Sequence, residues 1–228
     1  MALDLGITNL VSGVTNTGAT PFLIKGNRIK SINHYYNKRV AHYRAILRHG
    51  KAPKEGAHTS RRLERLHQIR YRKLKDLFHK ASHTIVNLAL NEKVDTIIIG
   101  QNKDWKQEVN MGKRQNQAFV SIPHSLLITL ITYTAQQYGV NVITTEESYT
   151  SKASFLDDDP IPVWDEGKPP PVFSGRRVKR GLYRASTGVH VNADLNGAAN
   201  ILKKAILQFF RERAASLRLV NVWQPTVF

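Results

Sequence analysis

The chain has 228 residues, and its 34 Lys and Arg against 17 Asp and Glu give a formal net charge of +17. That length suits one ordinary domain or two small ones, and an apolar fraction of 41% argues for a packed core over a basic disordered tail. The lack of cysteine excludes disulfide scaffolds, thiol catalysis and thiolate zinc sites. No apolar run reaches the roughly 18 residues a membrane helix needs, the opening MALDLGITNL lacks the basic start of a secretory signal, and the excess of cations points to a polyanionic partner, most simply nucleic acid.

MALDLGITNLVSGVT reads as strands, NTGAT as a turn, and PFLIKG as a further strand ending at Gly26, together a β-hairpin. The composition then shifts. Residues 25–80 hold 17 of the basic residues and three acids, Glu55, Glu64 and Asp76. Ile32, Tyr35, Tyr36, Val40, Tyr43 and Leu47 recur at helical spacing, so 31–48 is predicted to be a helix. After a loop with Pro and Gly, a longer helix places Leu63, Leu66, Leu74, Leu77, Ala81, Ile85 and Leu88 on one face. Its other face is cationic: either a solvated surface or, given so few acids, one that meets phosphate.

VDTIIIG (94–100) has the continuous β-branched pattern of a strand buried on both faces. The amide-rich stretch 101–121 is expected to be a functional loop. Pro123 opens a helix with Leu126, Leu127, Leu130, Ile131 and Tyr138 on one side and Gly139 past its end. VNVITT is another strand, ending at Glu146 and Glu147. Residues 150–190 are expected to be irregular. NADLNGAANILKKAILQFF is a helix with Asn192 as its N-cap and Ile201, Leu202, Ala205, Phe209 and Phe210 on its buried stripe. SLRLVNVWQPTVF is not placed. The order of elements is that of a layered α/β domain.

In a chain so poor in acids, their positions carry information. Asp4 stands inside an apolar strand, which is costly unless the acid is paired, solvated or metal-bound. Asp194 lies in the first turn of the last helix, where it also suits the helix dipole. Glu146 and Glu147 end a strand. Converging at one sheet edge, such carboxylates would hold Mg²⁺, a hard cation that prefers oxygen, and two such ions can drive phosphodiester cleavage. Each acid also has a plain structural role open to it.

DLGITNL (4–10), SINHYYNKR (31–39), the Trp-Lys-Gln of NKDWKQ, YTSKAS (149–154), GRRVKRGLYR (175–184) and NADLNGAANIL (192–202) resemble, in the same order, the C-terminal half of TnpB-type (OrfB) insertion-sequence proteins. The resemblance covers about residues 1–205 and implies an RNase H-like (RuvC-like) mixed sheet flanked by helices. The expected layout is a nuclease domain over 1–210, with a basic helical insertion at 28–92 and a cysteine-free loop at 150–190 in place of a zinc ribbon, then a tail at 211–228. The family is akin to type V CRISPR effectors, so the implied activity is RNA-guided, Mg²⁺-dependent (or Mn²⁺-dependent) DNA cleavage in a prokaryotic cytoplasm, beside the nucleoid. DNA and a guide RNA are the implied partners, with no membrane and no small-molecule substrate.

Carried over by motif, Asp4 matches the first catalytic acid and Asp194 the third. The second departs: the family's Glu falls at Gly100. The resemblance and the neighbouring position of strand 140–147 favour relocation to Glu147 or Glu146, with Glu108 a weaker candidate. The zinc ribbon's cysteines are missing, so no structural zinc is expected, and His79 and His83 do not replace it. Strand 1 opens only three residues before Asp4, which suggests a clipped strand and a truncated chain. The expected nucleic-acid contacts are Lys38, Arg39, Arg62, Arg70, Lys73, Arg176, Arg177, Lys179 and Arg180, with Trp105 and Tyr149 as possible base-stacking residues. The alternative is a nuclease-inactive nucleic-acid-binding remnant. A ribosomal or architectural protein fits the charge but leaves the acids at 4, 146–147 and 194 without a reason.

Overall fold

The computed structural model describes residues 1–52, 55, 57–101, 122–167, 169–210 and 226–227. Its main sheet is built from β1 (Ala2–Leu5), β2 (Asn9–Val14), β3 (Phe22–Lys25), β4 (Thr96–Gly100), β5 (Asn141–Thr145) and β9 (Thr226–Val227), in the order β5-β4-β1-β2-β3-β9. β1 runs antiparallel to β2, with Asp4 opposite Ser12, and parallel to β4, with Leu3 opposite Ile99. β4 in turn runs parallel to β5, and Gly100 lies opposite Thr145. The sheet is therefore mixed, and within the 94–100 run residues 96–100 form the buried strand, with 94 and 95 ahead of it.

Alternation along the strands sorts the core into two halves. Leu3, Leu5, Ile97 and Ile99 pack on one face against α2 (Arg61–Asn91) and α3 (His124–Gln137), with Ile29 of α1 (Asn27–Arg48) in the same cluster. Ala2, Val14, Leu23 and Ile98 pack on the other against Leu195, Ala198, Ile201 and Leu202 of α4 (Ala193–Phe210). This helix–sheet–helix sandwich needs both faces of β4 apolar, as they are. No helix among the described residues is long and apolar enough to cross a membrane.

The helix ends follow local chemistry. Ser60 caps α2, its Oγ accepting from the Leu63 amide at 3.3 Å. Asn192 caps α4 as expected, its Oδ1 accepting from the amides of Asp194 (3.0 Å) and Leu195 (3.2 Å). α1 begins at Asn27, four residues before the predicted start. Two stripe assignments fail: Tyr35 and Tyr138 are exposed. On α1 the buried position belongs instead to Asn33, whose Oδ1 accepts from Arg70 Nε at 2.7 Å. A hydrogen bond across the helix pair thus replaces an apolar contact, which hydrophobic spacing cannot reveal.

The segment 150–190 is not wholly irregular. It holds β6 (Arg176–Lys179) and β7 (Leu182–Arg184), which with β8 (His190–Asn192) form a three-stranded antiparallel sheet. Gly181, at φ 77°, supplies the tight turn between β6 and β7. Tyr183 is fully buried and its hydroxyl donates to the Lys152 carbonyl at 2.8 Å. The buried Asp159 ties the segment together, accepting from the Ser154 amide (2.7 Å), the Ser174 amide (3.1 Å) and the Ser174 hydroxyl (2.6 Å). Lys203 of α4 pairs with Asp158 and donates to the Asp159 carbonyl at 2.8 Å. The chain has no cysteine, and here hydrogen bonds to a carboxylate pin the loop.

Asp159→Ala should therefore cost about 3 kcal/mol, because it leaves buried amides unpaired. Urea denaturation measures this, and a loss under about 0.5 kcal/mol would contradict the role.

Candidate functional site

Alternation in β1 and β4 directs Asp4 and Gly100 to the α4 face, in line with Ala2 and Ile98. Contact there is very close. A Cβ at Gly197 of α4 would lie 2.7 Å from Asp4 Oδ2, and one at Gly100 would lie 2.5 Å from Ile201 Cδ1 and 2.7 Å from Glu147 Oε2. The Glu147 carboxylate thus occupies the space into which a side chain at 100 would grow. Glu146 turns away from this space: it pairs with Lys204 of α4 and accepts from the Ser148 amide.

Asp194 comes from the first turn of α4. Its Oδ2 accepts from Asn9 Nδ2 at 2.7 Å, and its Oδ1 pairs with Arg177 of β6 at 3.0 Å. Asn9 is buried in β2 and also accepts from Lys25 Nζ, at 3.1 Å, so a bridging amide holds Asp194 to the sheet.

The electrostatics follow from this crowding. Burial first, then the charges of Glu147 and Asp194, push Asp4 well above the ordinary carboxylate range, with Arg177 opposing them. Burial and then Glu146 raise Glu147 to about 7, against the pull of Lys204. For Glu146, burial acts upward too, but the hydrogen bonds from Lys204 and Ser148 outweigh it and hold it below its usual value. The two glutamates therefore differ in kind: one is a proton-holding acid in the acid cluster, the other an ion-pair partner.

Among the described residues, no three His, Asp or Glu side chains stand close enough together to hold a metal ion. The donor chemistry nevertheless suits a hard divalent cation. Asp4 and Glu147 offer only oxygen, and each is made reluctant to ionise by burial and nearby negative charge, which a cation would relieve. Asp194 now has Arg177 as its counter-charge, and a metal would compete with that guanidinium.

The expected nucleic-acid contacts separate into two groups. Arg39 and Arg62 lie over the ring of Tyr43 at 4.8 and 5.1 Å, and Arg70 lies over Tyr36 at 4.8 Å. Arg62 and Arg70 thereby brace α2 against α1, whereas Arg39 and Tyr43 both belong to α1. Lys38, Lys73, Arg176, Lys179 and Arg180 are exposed, and Arg177 is committed to Asp194. Tyr149 packs against Phe173, with ring centroids 6.0 Å apart. Trp105 and Glu108 lie outside the described residues. Sequence reasoning passed over Asn9, Gly197 and Lys204. A polar residue within the otherwise apolar start of β2 and a lysine on an apolar helix were the available signals.

Residues 1–106 match the family OrfB_IS605, described as a probable transposase, and residues 124–201 match the Cas12f1-like TNB domain. The chain is 28% identical over 210 residues to the TnpB-like protein ORF457 of Acidianus two-tailed virus, covering 90% of this chain and 41% of that protein. It is 24% identical to the CRISPR-associated endodeoxyribonuclease Cas12f1 of Sulfoacidibacillus thermotolerans, covering 88% of this chain and 44% of that one. The chain is thus similar to TnpB-type proteins and to a type V effector. A Cas12f1–sgRNA–target DNA complex shares its fold, with a TM-score of 0.57 at 17% identity over 87% of this chain and 48% of that one. The chain spans less than half the length of the curated relatives it matches.

Two outcomes follow. The folded protein keeps the Glu147 proton up to about pH 7, whereas the unfolded chain releases it near 4.5. The folded state therefore binds more protons between these values, and metal-free stability falls as pH rises through the window. One pH unit of displacement is worth about 1.4 kcal/mol, so the loss is on the order of 3 kcal/mol. Glu147→Gln should flatten this slope in thermal melts run from pH 4.5 to 8, and an unchanged slope would contradict the assignment. Gly100→Ala should destabilise by about 1–3 kcal/mol through collision with Ile201 and Glu147, and denaturant midpoints read it directly.

Proposed function

We propose that residues 1–210, joined in the main sheet by β9 rather than followed by a mere tail, form the RuvC-like, DNA-cleaving domain of an RNA-guided endonuclease. The observation that carries this reading is the Glu147 carboxylate over Gly100 beside Asp4. It offers a substitute for the usual second acid, which is a glycine here. The strand order, with an antiparallel β1–β2–β3 meander extended by parallel β4 and β5, supports the RNase H-like assignment. The names of the relatives, an endodeoxyribonuclease and an sgRNA–target DNA complex, support DNA as substrate and a guide RNA as partner.

Asp4, Glu147 and Asp194 are the residues that would hold Mg²⁺ or Mn²⁺, which when bound activates water and stabilises the leaving oxygen of a phosphodiester. The chain's own groups prepare that chemistry. Asn9 fixes the orientation of Asp194. Lys204 draws Glu146 aside and leaves Glu147 as the acid facing Asp4. Arg177 balances the charge of Asp194 until another cation takes its place. The exposed Lys38, Lys73, Arg176, Lys179 and Arg180 offer sequence-independent contacts to phosphates.

The Arg177–Asp194 ion pair and the lack of a three-acid cluster among the described residues favour a second reading, a nuclease-inactive nucleic-acid binder. Cleavage of a labelled single-stranded DNA in Mg²⁺ separates the two. The nuclease reading expects cleavage by the parent chain and a loss beyond about a hundredfold in Asp4→Ala, Glu147→Ala and Asp194→Ala, with salt-sensitive binding retained. Tight binding by an inert parent protein would establish the second reading instead.

A further inference from the structure

The loop between β1 and β2 gathers cations from two distant parts of the chain. Lys30, in the first turn of α1, donates from Nζ to Thr8 Oγ1 at 3.0 Å, and Arg180, just past β6, donates from Nη2 to the same oxygen at 2.8 Å. A hydroxyl has two lone pairs and one proton. With both lone pairs accepting from cations, the proton of Thr8 is left to give to a third group. The point where these side chains meet holds an ammonium, a guanidinium and a hydroxyl donor, and among the described residues no carboxylate bonds to them. The Lys30 ammonium is held below its ordinary pKa, first by burial and then by the Arg180 charge.

The next residue leads to the acid cluster. Asn9 accepts from Lys25 Nζ at 3.1 Å and donates to Asp194 Oδ2 at 2.7 Å. Two adjacent residues thus join a cluster of donors to one of the acids. Two like charges brought together on a neutral oxygen repel, and an anion with several oxygens would relieve that repulsion while accepting from all three groups.

We propose that Thr8, Lys30 and Arg180 form a phosphate-binding clamp that holds the backbone of a single-stranded nucleic acid beside Asp194. The clamp depends on the nuclease reading for its purpose but not for its test. It fixes the path of a strand across the site: one phosphate is held by donors while a neighbouring phosphodiester faces the acids. Lys25, bridged to Asp194 through Asn9, extends the cationic side of that path.

The test is the salt dependence of binding, measured by anisotropy in EDTA with a fluorescein-labelled oligothymidylate. Lys30→Gln and Arg180→Gln should each weaken binding and lower the slope of log K against log salt by about 0.7, the loss of one single-strand phosphate contact. Lys80→Gln is the charge-matched control, because its ammonium already pairs with Asp76 at 2.7 Å, and it should leave the slope in place. Thr8→Val should weaken binding with no change in charge. Lys30→Arg should restore the slope, which separates a lost contact from a lost fold, and thermal melts check each variant.

Running the same series on an oligouridylate names the source: equal losses assign the clamp to the phosphodiester shared by DNA and RNA, and a loss on one polymer assigns it to that one. Slopes for Lys30→Gln and Arg180→Gln that match Lys80→Gln, or a parent that does not bind, would overturn the clamp. Cleavage of the same oligothymidylate in Mg²⁺ is scored separately. Altered slopes without cleavage keep the clamp and reject the nuclease, and cleavage with unaltered slopes does the reverse.

Discussion

The arrangement depends on holding Asp4 and Glu147 together against a helix. Two carboxylates in a part-buried site repel, and each loses hydration on burial. Glycines stand at both of the close contacts. Gly197 lets α4 approach Asp4, and Gly100 lets Glu147 lie across the end of β4. A methyl group at either place would separate α4 from the sheet or push an acid aside. The raised proton affinities of Asp4 and Glu147 are the residue of that cost, which a cation is suited to remove.

The rest of the fold serves this contact. The two apolar faces of β4 allow helices on both sides, so that α4 can lie over the acids while α1, α2 and α3 complete the core behind them. The small sheet β6–β7–β8 leads directly into α4 and delivers Arg177 to Asp194. Asp159 and Lys203 anchor the preceding loop to that helix. A stretch that lacks cysteine thereby gains a fixed position through carboxylate–amide bonds, and its cations are held near the acids.

Much of the main sheet and its helices was legible in the sequence because burial leaves a period. The run at 94–100, the cap at Asn192 and the stripes of α2 and α4 follow from spacing and from the chemistry of helix ends. What escaped was polar. Asn33 replaces an expected apolar contact by bonding to Arg70, and Arg62 and Arg70 face tyrosines across the helix pair, although composition alone makes every arginine look like a phosphate contact. The sheet at 176–192 escaped because its short strands are largely exposed and carry little alternation, with Tyr183 as the one large side chain fully buried there.

The choice between Glu146 and Glu147 shows how far a simple rule reaches. Ile143 of β5 packs into the cluster under α4, and Thr145 is buried opposite Gly100. Side chains alternate along a strand, so 143 and 145 share the face that carries Asp4. The chain turns just past Thr145, and Glu146 reaches Lys204 instead. The turn leaves Glu147 as the acid directed toward Gly100. The register of β5 against β4, rather than the identity of either glutamate, places a carboxylate where the β4 strand itself has none.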